Sequence, residues 1–354
     1  MDDLEVLSRF RADLPGPSAG TEQQSRARLL ALAQHPGGGR RPRWRGWRAG
    51  WRRRVALGIG AAVLAASLAV SGSVLPFARH GPAPASAAAV LDAAARTAAA
   101  APEVTLRPGQ FYYEKGLTAW PFGIPPMHGN AAIVFLQTAT YETWEASDGS
   151  GRNRSVLGRQ VFFHPGDLAR VRAAGIPLHK PGDVEVMSWR SFKRLGRDLD
   201  LLMGPATPRE LGQLPAEPTA LRHVLQNLLR KQLGPGRSGG LALDQQTFDV
   251  AARLLLLPGA PAALRAALFQ VLKSLPGVAL LGRVTDPAGR PGMGVAISKG
   301  ATRSELIFDP ATARALATIT VDGVAGPGTP PKGSVTNYYA PLTRAVVNSD
   351  SARP

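Results

Sequence analysis

Zinc sites need three or four converging histidine, cysteine or carboxylate ligands, and covalent catalysis needs a nucleophile with a base beside it. This chain offers few such groupings. His35, His80, His128, His164, His179 and His223 are scattered, with no HExxH pattern and no pair at ligand spacing, so each reads as structural. Glu142 and Glu145 could be taken as a carboxylate pair for acid–base work, but on a strand their side chains point to opposite faces. There is no G-x-S-x-G turn, and GPGRSGG (Gly234 to Gly240) lacks the Gly-Lys-Ser/Thr ending of a phosphate-binding loop. Asn153-Arg154-Ser155 matches the glycosylation triplet, a pattern short enough to arise by chance. The absence of cysteine excludes thiolate zinc, a redox pair and a lipoprotein anchor. The residues therefore point to no enzyme, no cofactor and no metal.

A different chemistry is concentrated near the N-terminus. Arg40 to Arg54, RRPRWRGWRAGWRRR, carries arginine interleaved with Trp44, Trp47 and Trp51 and no acid. Directly after it, Val55 to Leu75 contains no charge over 21 residues. At ~1.5 Å per residue such a run matches the ~30 Å hydrocarbon core of a bilayer. The sequence thus predicts a transmembrane helix over 55–77, with Val55, Leu57, Ile59, Val63, Leu64, Leu68, Val70, Val74 and Leu75 facing lipid. Arg45, Trp47, Arg48, Trp51, Arg52, Arg53 and Arg54 would contact the membrane surface, where arginine meets anionic headgroups and tryptophan sits at the interface. Adjacency to the apolar run favours that reading over nucleic acid. The positive-inside rule places the N-terminus in the cytoplasm and the C-terminal domain outside, in the cell envelope. Ala85-Ser86-Ala87 offers an alternative, cleavage near Ala87, but 54 residues precede the apolar run and its length exceeds a signal peptide's core.

The net charge of +17 is less telling than its distribution. Residues 1–54 hold 12 basic against 5 acidic side chains, and the rest is spread thinly. This cytoplasmic tail has two short helical patterns, Leu4 to Leu14 and, after the Thr21/Gln24 capping box, Arg28 to Leu32. They are too small for an independent core and suit a partner protein. A linker and alanine-rich helix follow over 78–108, then an extracytoplasmic domain over 109–348 and a disordered C-terminus over 349–354. Within the domain, strand patterns over 111–163 give way to helices around Leu221–Leu229, Phe248–Leu255 and Leu264–Leu275, and strands return from Val278 to Val347. The fold class expected is α+β: a helical tail, one transmembrane helix, and a curved antiparallel sheet covered on one face by helices.

The segments MDDLEVLSRFRADLPGP, LRPGQFYYEK, LLLLPGAPAALRAALFQVLKSLPGV and ELIFDPATARALA resemble a family of uncharacterised actinobacterial single-pass membrane proteins. The tail is also similar to membrane-anchored anti-sigma factors, without their H-x3-C-x2-C zinc motif, and the outer domain resembles the lipoprotein-carrier (LolA) and RseB/MucB half-barrels. These resemblances imply a sensor or regulator whose tail contacts a cytoplasmic protein, a sigma factor among the candidates. They also imply an alternative, a tethered carrier of an envelope lipid or lipoprotein, with Phe111, Phe135, Ile297 and Phe308 as its apolar ligand face. An envelope hydrolase ranks last.

Overall fold

Among the described residues, alternating apolar positions bounded by Gly, Pro and Asp turns produce nine strands that all join one antiparallel sheet. The computed structural model describes residues 86–124, 132–189, 206–233, 241–322 and 329–354, all within the compact unit Val70–Pro354. The chain runs through α1 (Ala87–Ala99), β1 (Phe111–Ile124), β2 (Ile133–Ala146), β3 (Gly151–Phe162), α2 (Asp167–Ala173) and β4 (Val184–Trp189). It continues with α3 (Pro208–Gly212), α4 (Pro218–Leu233), α5 (Leu241–Leu256) and α6 (Ala262–Ser274). The remaining strands are β5 (Ala279–Thr285), β6 (Pro291–Lys299), β7 (Thr302–Phe308), β8 (Ala315–Asp322) and β9 (Ser334–Val347).

The sheet order is β4-β3-β2-β1-β9-β8-β7-β6-β5. Two meanders, one from each side of the helical segment, are joined where β1 pairs with β9, from Phe111 opposite Val347 to Ala119 opposite Tyr338. The register shifts between Lys115 and Gly116. Only glycine fits at that bulge, because a Cβ on Gly116 would lie 2.5 Å from the Ala340 carbonyl and 2.5 Å from the Tyr141 hydroxyl. The β2–β3 turn is shaped by Asp148, whose carboxylate accepts from the Ser150 amide at 2.8 Å.

Helices α1, α4, α5 and α6 pack into one apolar cluster with β6–β8. In α1, Leu91, Ala94, Ala95 and Ala98 recur at i, i+3, i+4 and i+7 and are all buried, and the alanines let α1 pack closely on α6. Ser86 caps α1 by accepting from the Ala89 amide at 3.1 Å. From α6, Phe269 meets Phe308 of β7 edge-on at 5.3 Å. A smaller cluster under α2 gathers Ile124, Ile133, Phe135 and Val171.

The C-terminal residues 349–354, expected to be disordered, lie against the opposite sheet face. There Tyr113, Trp144 and Val347 cluster, the Trp144 indole donates to the Ala352 carbonyl at 2.6 Å, and Arg353 binds Glu142 through both Nε (2.6 Å) and Nη2 (2.9 Å).

The expected fold class needs correction. The described chain is a large nine-stranded antiparallel sheet with few helices, and among the described residues no helix is long and apolar enough to cross a membrane. The apolar helices that do form are apolar for another reason: they bury their faces against the sheet and each other. The expected tail (1–54), the expected span (55–77, with Val55 to Leu75) and the surface-contact residues Arg45 to Arg54 lie outside the described residues.

Candidate functional site

A cavity of about 570 Å³ lies between α5 and the sheet, within the range of small-molecule sites. Its helix wall comes from two adjacent rows of α5, Phe248, Ala252 and Leu256 beside Asp249 and Arg253, each row spaced by one helical turn. The sheet wall comes from alternate residues of neighbouring strands: Tyr112 and Glu114 of β1, Thr143 and Glu145 of β2, Thr318 and Thr320 of β8, Asn337 and Tyr339 of β9. Thr118 of β1 and Ser304 of β7 lie on the same face. The site therefore sits on the β1–β9 seam and draws on both meanders.

Its charges differ sharply in how they are compensated. Glu114 is buried and fully partnered, accepting from the Tyr141 hydroxyl at 2.9 Å, the Tyr339 hydroxyl at 2.5 Å and Arg344 Nε at 2.7 Å. Burial, reinforced by the neighbouring Glu114, raises both tyrosines above the ordinary phenol range, so they remain hydroxyl donors. Arg344 also donates to the Leu256 carbonyl at the end of α5, tying strand, seam and helix together.

Glu145 has no such compensation. Its register partner is Tyr112, which places it diagonally across the pleat from Glu114 on the same face. It is 7% exposed, and its Oε1 has no hydrogen-bond partner. Burial, reinforced by the nearby Glu114 and Glu210 carboxylates, raises its carboxyl to about 8. Asp249 projects from the helix wall and is exposed to solvent, yet the protein crowded around it raises its carboxyl to about 6, against the opposing pull of a Ser304 hydrogen bond. Burial lowers Arg253 to about 10.

Glu142 and Glu145 do point to opposite faces, and the separation gives them different roles. Glu142 lies on the far face, held by Arg353, Arg154 at 3.1 Å and the Tyr113 hydroxyl at 2.9 Å. The Arg353 hydrogen bonds, more than any other contact, lower its carboxyl to about 2. Glu145 faces the cavity.

The residues expected to form an apolar ligand face are not brought together. Ile297 and Phe308 are sealed in the main core beneath the helices, Phe135 belongs to the cluster under α2, and Phe111 packs on the opposite face with Tyr113 and Trp144. A helix layer fills the face that a lipid carrier would leave open. Sequence reasoning passed over Glu114, Asp249, Arg253 and Tyr339. The available signal was Asp249 and Arg253, charged residues four apart on a helix whose adjoining row is Phe248, Ala252 and Leu256. Among the described residues, no group of three His, Asp or Glu side chains is placed to hold a metal ion. No known protein family, no curated protein and no solved structure matches this chain.

Proposed function

We propose that this protein is a non-catalytic binding protein of the cell envelope, a sensor or regulator whose sheet-and-helix domain takes a small polar ligand between α5 and the β1–β9 seam. One observation carries the reading: a cavity of about 570 Å³ whose wall includes Glu145, a buried carboxyl with an unpartnered oxygen. Buried polar atoms are normally satisfied, so an orphan facing a cavity suits a site that is completed by a ligand. The polar part of the lining offers carboxyl groups, tyrosines, threonines, Ser304, Asn337 and one arginine, without histidine or cysteine, beside an apolar side formed by Phe248, Ala252, Leu256, Leu257 and Pro258. Such a wall recognises a ligand by hydrogen bonds and charge as well as by apolar contact. In this proposal the basic, tryptophan-bearing stretch Arg40–Arg54 meets anionic headgroups, and residues 1–39 contact a partner protein.

The test is a thermal-unfolding screen of the full chain against polar metabolites, run beside Ala252→Leu, which narrows the cavity from the helix side. A ligand at about 100 times its Kd adds about 2.7 kcal/mol of stability. The expected result is a compound that raises the melting temperature of the wild-type protein and not of Ala252→Leu. Equal shifts in both, or bound lipid in native mass spectra, would refute the reading.

A further inference from the structure

We infer that the ligand of this cavity is an uncharged polyhydroxyl ring, a sugar or cyclitol, one of whose oxygens accepts a hydrogen bond from the Glu145 carboxyl. The inference rests on the binding reading above and adds the ligand's chemical class. Glu145 is more than nine-tenths buried, lines the cavity and has an unpartnered Oε1. Among the described residues no cation pairs with it. From β1 it is faced by Glu114 and Tyr112, and from α3 by Glu210, whose carboxylate takes part in the capping box with Thr207. Arg344 of β9 is committed to Glu114 at 2.7 Å, and the Tyr112 hydroxyl to the Val104 carbonyl at 2.5 Å. On β3 its register partner is Gly151, which has no side chain. Burial among like charges leaves Glu145 holding its proton at neutral pH, and a protonated carboxyl is a hydrogen-bond donor.

Charge cancels in the rest of the wall. Arg344 answers Glu114, and along α5 Asp249 and Arg253 are opposite in sign. These two stand at other parts of the cavity, Asp249 by Ser304 and Arg253 by Tyr339. An entering ion would upset that balance. Uncharged donors and acceptors make up most of the sheet side: Thr118, Tyr339 and Thr318 are register neighbours across β1, β9 and β8, and Asn337, Thr320 and Ser304 across β9, β8 and β7. Neighbouring strands stand about 5 Å apart, close to the separation of hydroxyls on opposite sides of a six-membered ring. Thr143 accepts from the Asn153 side-chain amide at 3.1 Å and keeps its proton to donate, whereas Thr118 donates to the Tyr338 carbonyl at 3.1 Å and keeps its lone pairs. Such a wall can both give to and take from hydroxyl groups. Opposite it, Phe248, Ala252 and Leu256 of α5 present an apolar surface to the C–H face of the ring.

Isothermal titration of the full chain at about pH 7 and about pH 9 tests this, with D-glucose, N-acetyl-D-glucosamine, trehalose and myo-inositol as probes. Between these values Asp249, at about 6, stays ionised and Arg253, at about 10, stays largely protonated. Saturable binding of at least one probe is expected at the lower pH, weakened about tenfold at the higher, where Glu145, at about 8, has lost its proton. Glu145→Leu should bind about tenfold or more weakly at about pH 7, and Glu145→Gln, whose amide donates at every pH, should recover binding and lose its dependence on pH. Putrescine and succinate should not bind. Failure of all four probes overturns the inference, as does binding that ignores pH in the wild type or stays lost in Glu145→Gln. If putrescine or succinate binds and Ala252→Leu blocks it, the sugar class falls while the cavity's binding role stands; if Ala252→Leu binds the sugar as well as wild type, both fall.

Discussion

Glu145 and Glu142, three residues apart in one strand, titrate in opposite directions because the pleat sends one into the cavity and the other to the arginine-bearing face. Glu145, at about 8 when folded, lies above its ordinary value of 4.5, so the folded protein binds this proton more tightly than the unfolded chain. Its contribution to stability is full below about pH 4.5 and is lost as pH rises through 8. Asp249 adds a loss of the same sign up to about 6. Glu142 behaves inversely: its stabilisation is present above 4.5 and lost as pH falls through about 2. Urea unfolding of Glu145→Gln across about pH 6 to 9 should therefore show a flatter decline than wild type, with the variant the more stable at the alkaline end. An unchanged slope would contradict the buried, unpartnered state of Glu145. This behaviour was not legible in the sequence, where Glu145 is one acid in a β-favouring run and its opposition to Glu114 depends on strand register.

The elements themselves were more readable, since each depends on local period and local stop signals. Leu221, Leu225, Leu228 and Leu229 of α4 and Leu264, Ala267, Leu268, Val271 and Leu272 of α6 are buried at the spacing that predicts them. Asp148-Gly149 turns β2 into β3, with Gly149 in the left-handed region at φ 81. Asp244 sits in the first turn of α5 and pairs with Arg222 at 3.2 Å. The edge strand β4 was missed because Val184, Val186 and Met187 are exposed and Pro181-Gly182 precedes them, so nothing marks a buried face. Within the helix layer's large apolar core, Phe269 of α6 meets Phe308 of β7, both fully buried. Phe308→Ala should cost about 3–5 kcal/mol, seen as a lowered urea midpoint with little change in slope. A cost under about 1 kcal/mol would mean that α6 is not anchored there.

The molecule as a whole depends on joining its two meanders. Glu114, Tyr141 and Tyr339 meet across the seam, the two rings stacked at 4.8 Å, and Arg344 links Glu114 to the end of α5. Arg344→Met would leave Glu114 buried with only the two tyrosine hydroxyls, and should destabilise the fold by about 3–5 kcal/mol in equilibrium denaturation. A neutral effect would show that backbone pairing alone holds the seam. The same change should weaken any ligand of the cavity, because α5 and β1 form its facing walls. By itself, the sequence determined where most strands and helices begin and turn and that the familiar catalytic and metal motifs are missing, since these follow from period, turn residues and spacing along the chain. It also contains the uncharged run Val55–Leu75 and its arginine-rich flank, the source of a transmembrane expectation that no described helix supports. The tertiary structure alone decided that helices cover the apolar sheet face and that Glu145, on the sheet side, and Asp249, on the helix side, line one cavity. Both depend on packing between elements distant in the chain, and nothing in local sequence encodes which carboxyl loses its water and which gains an arginine.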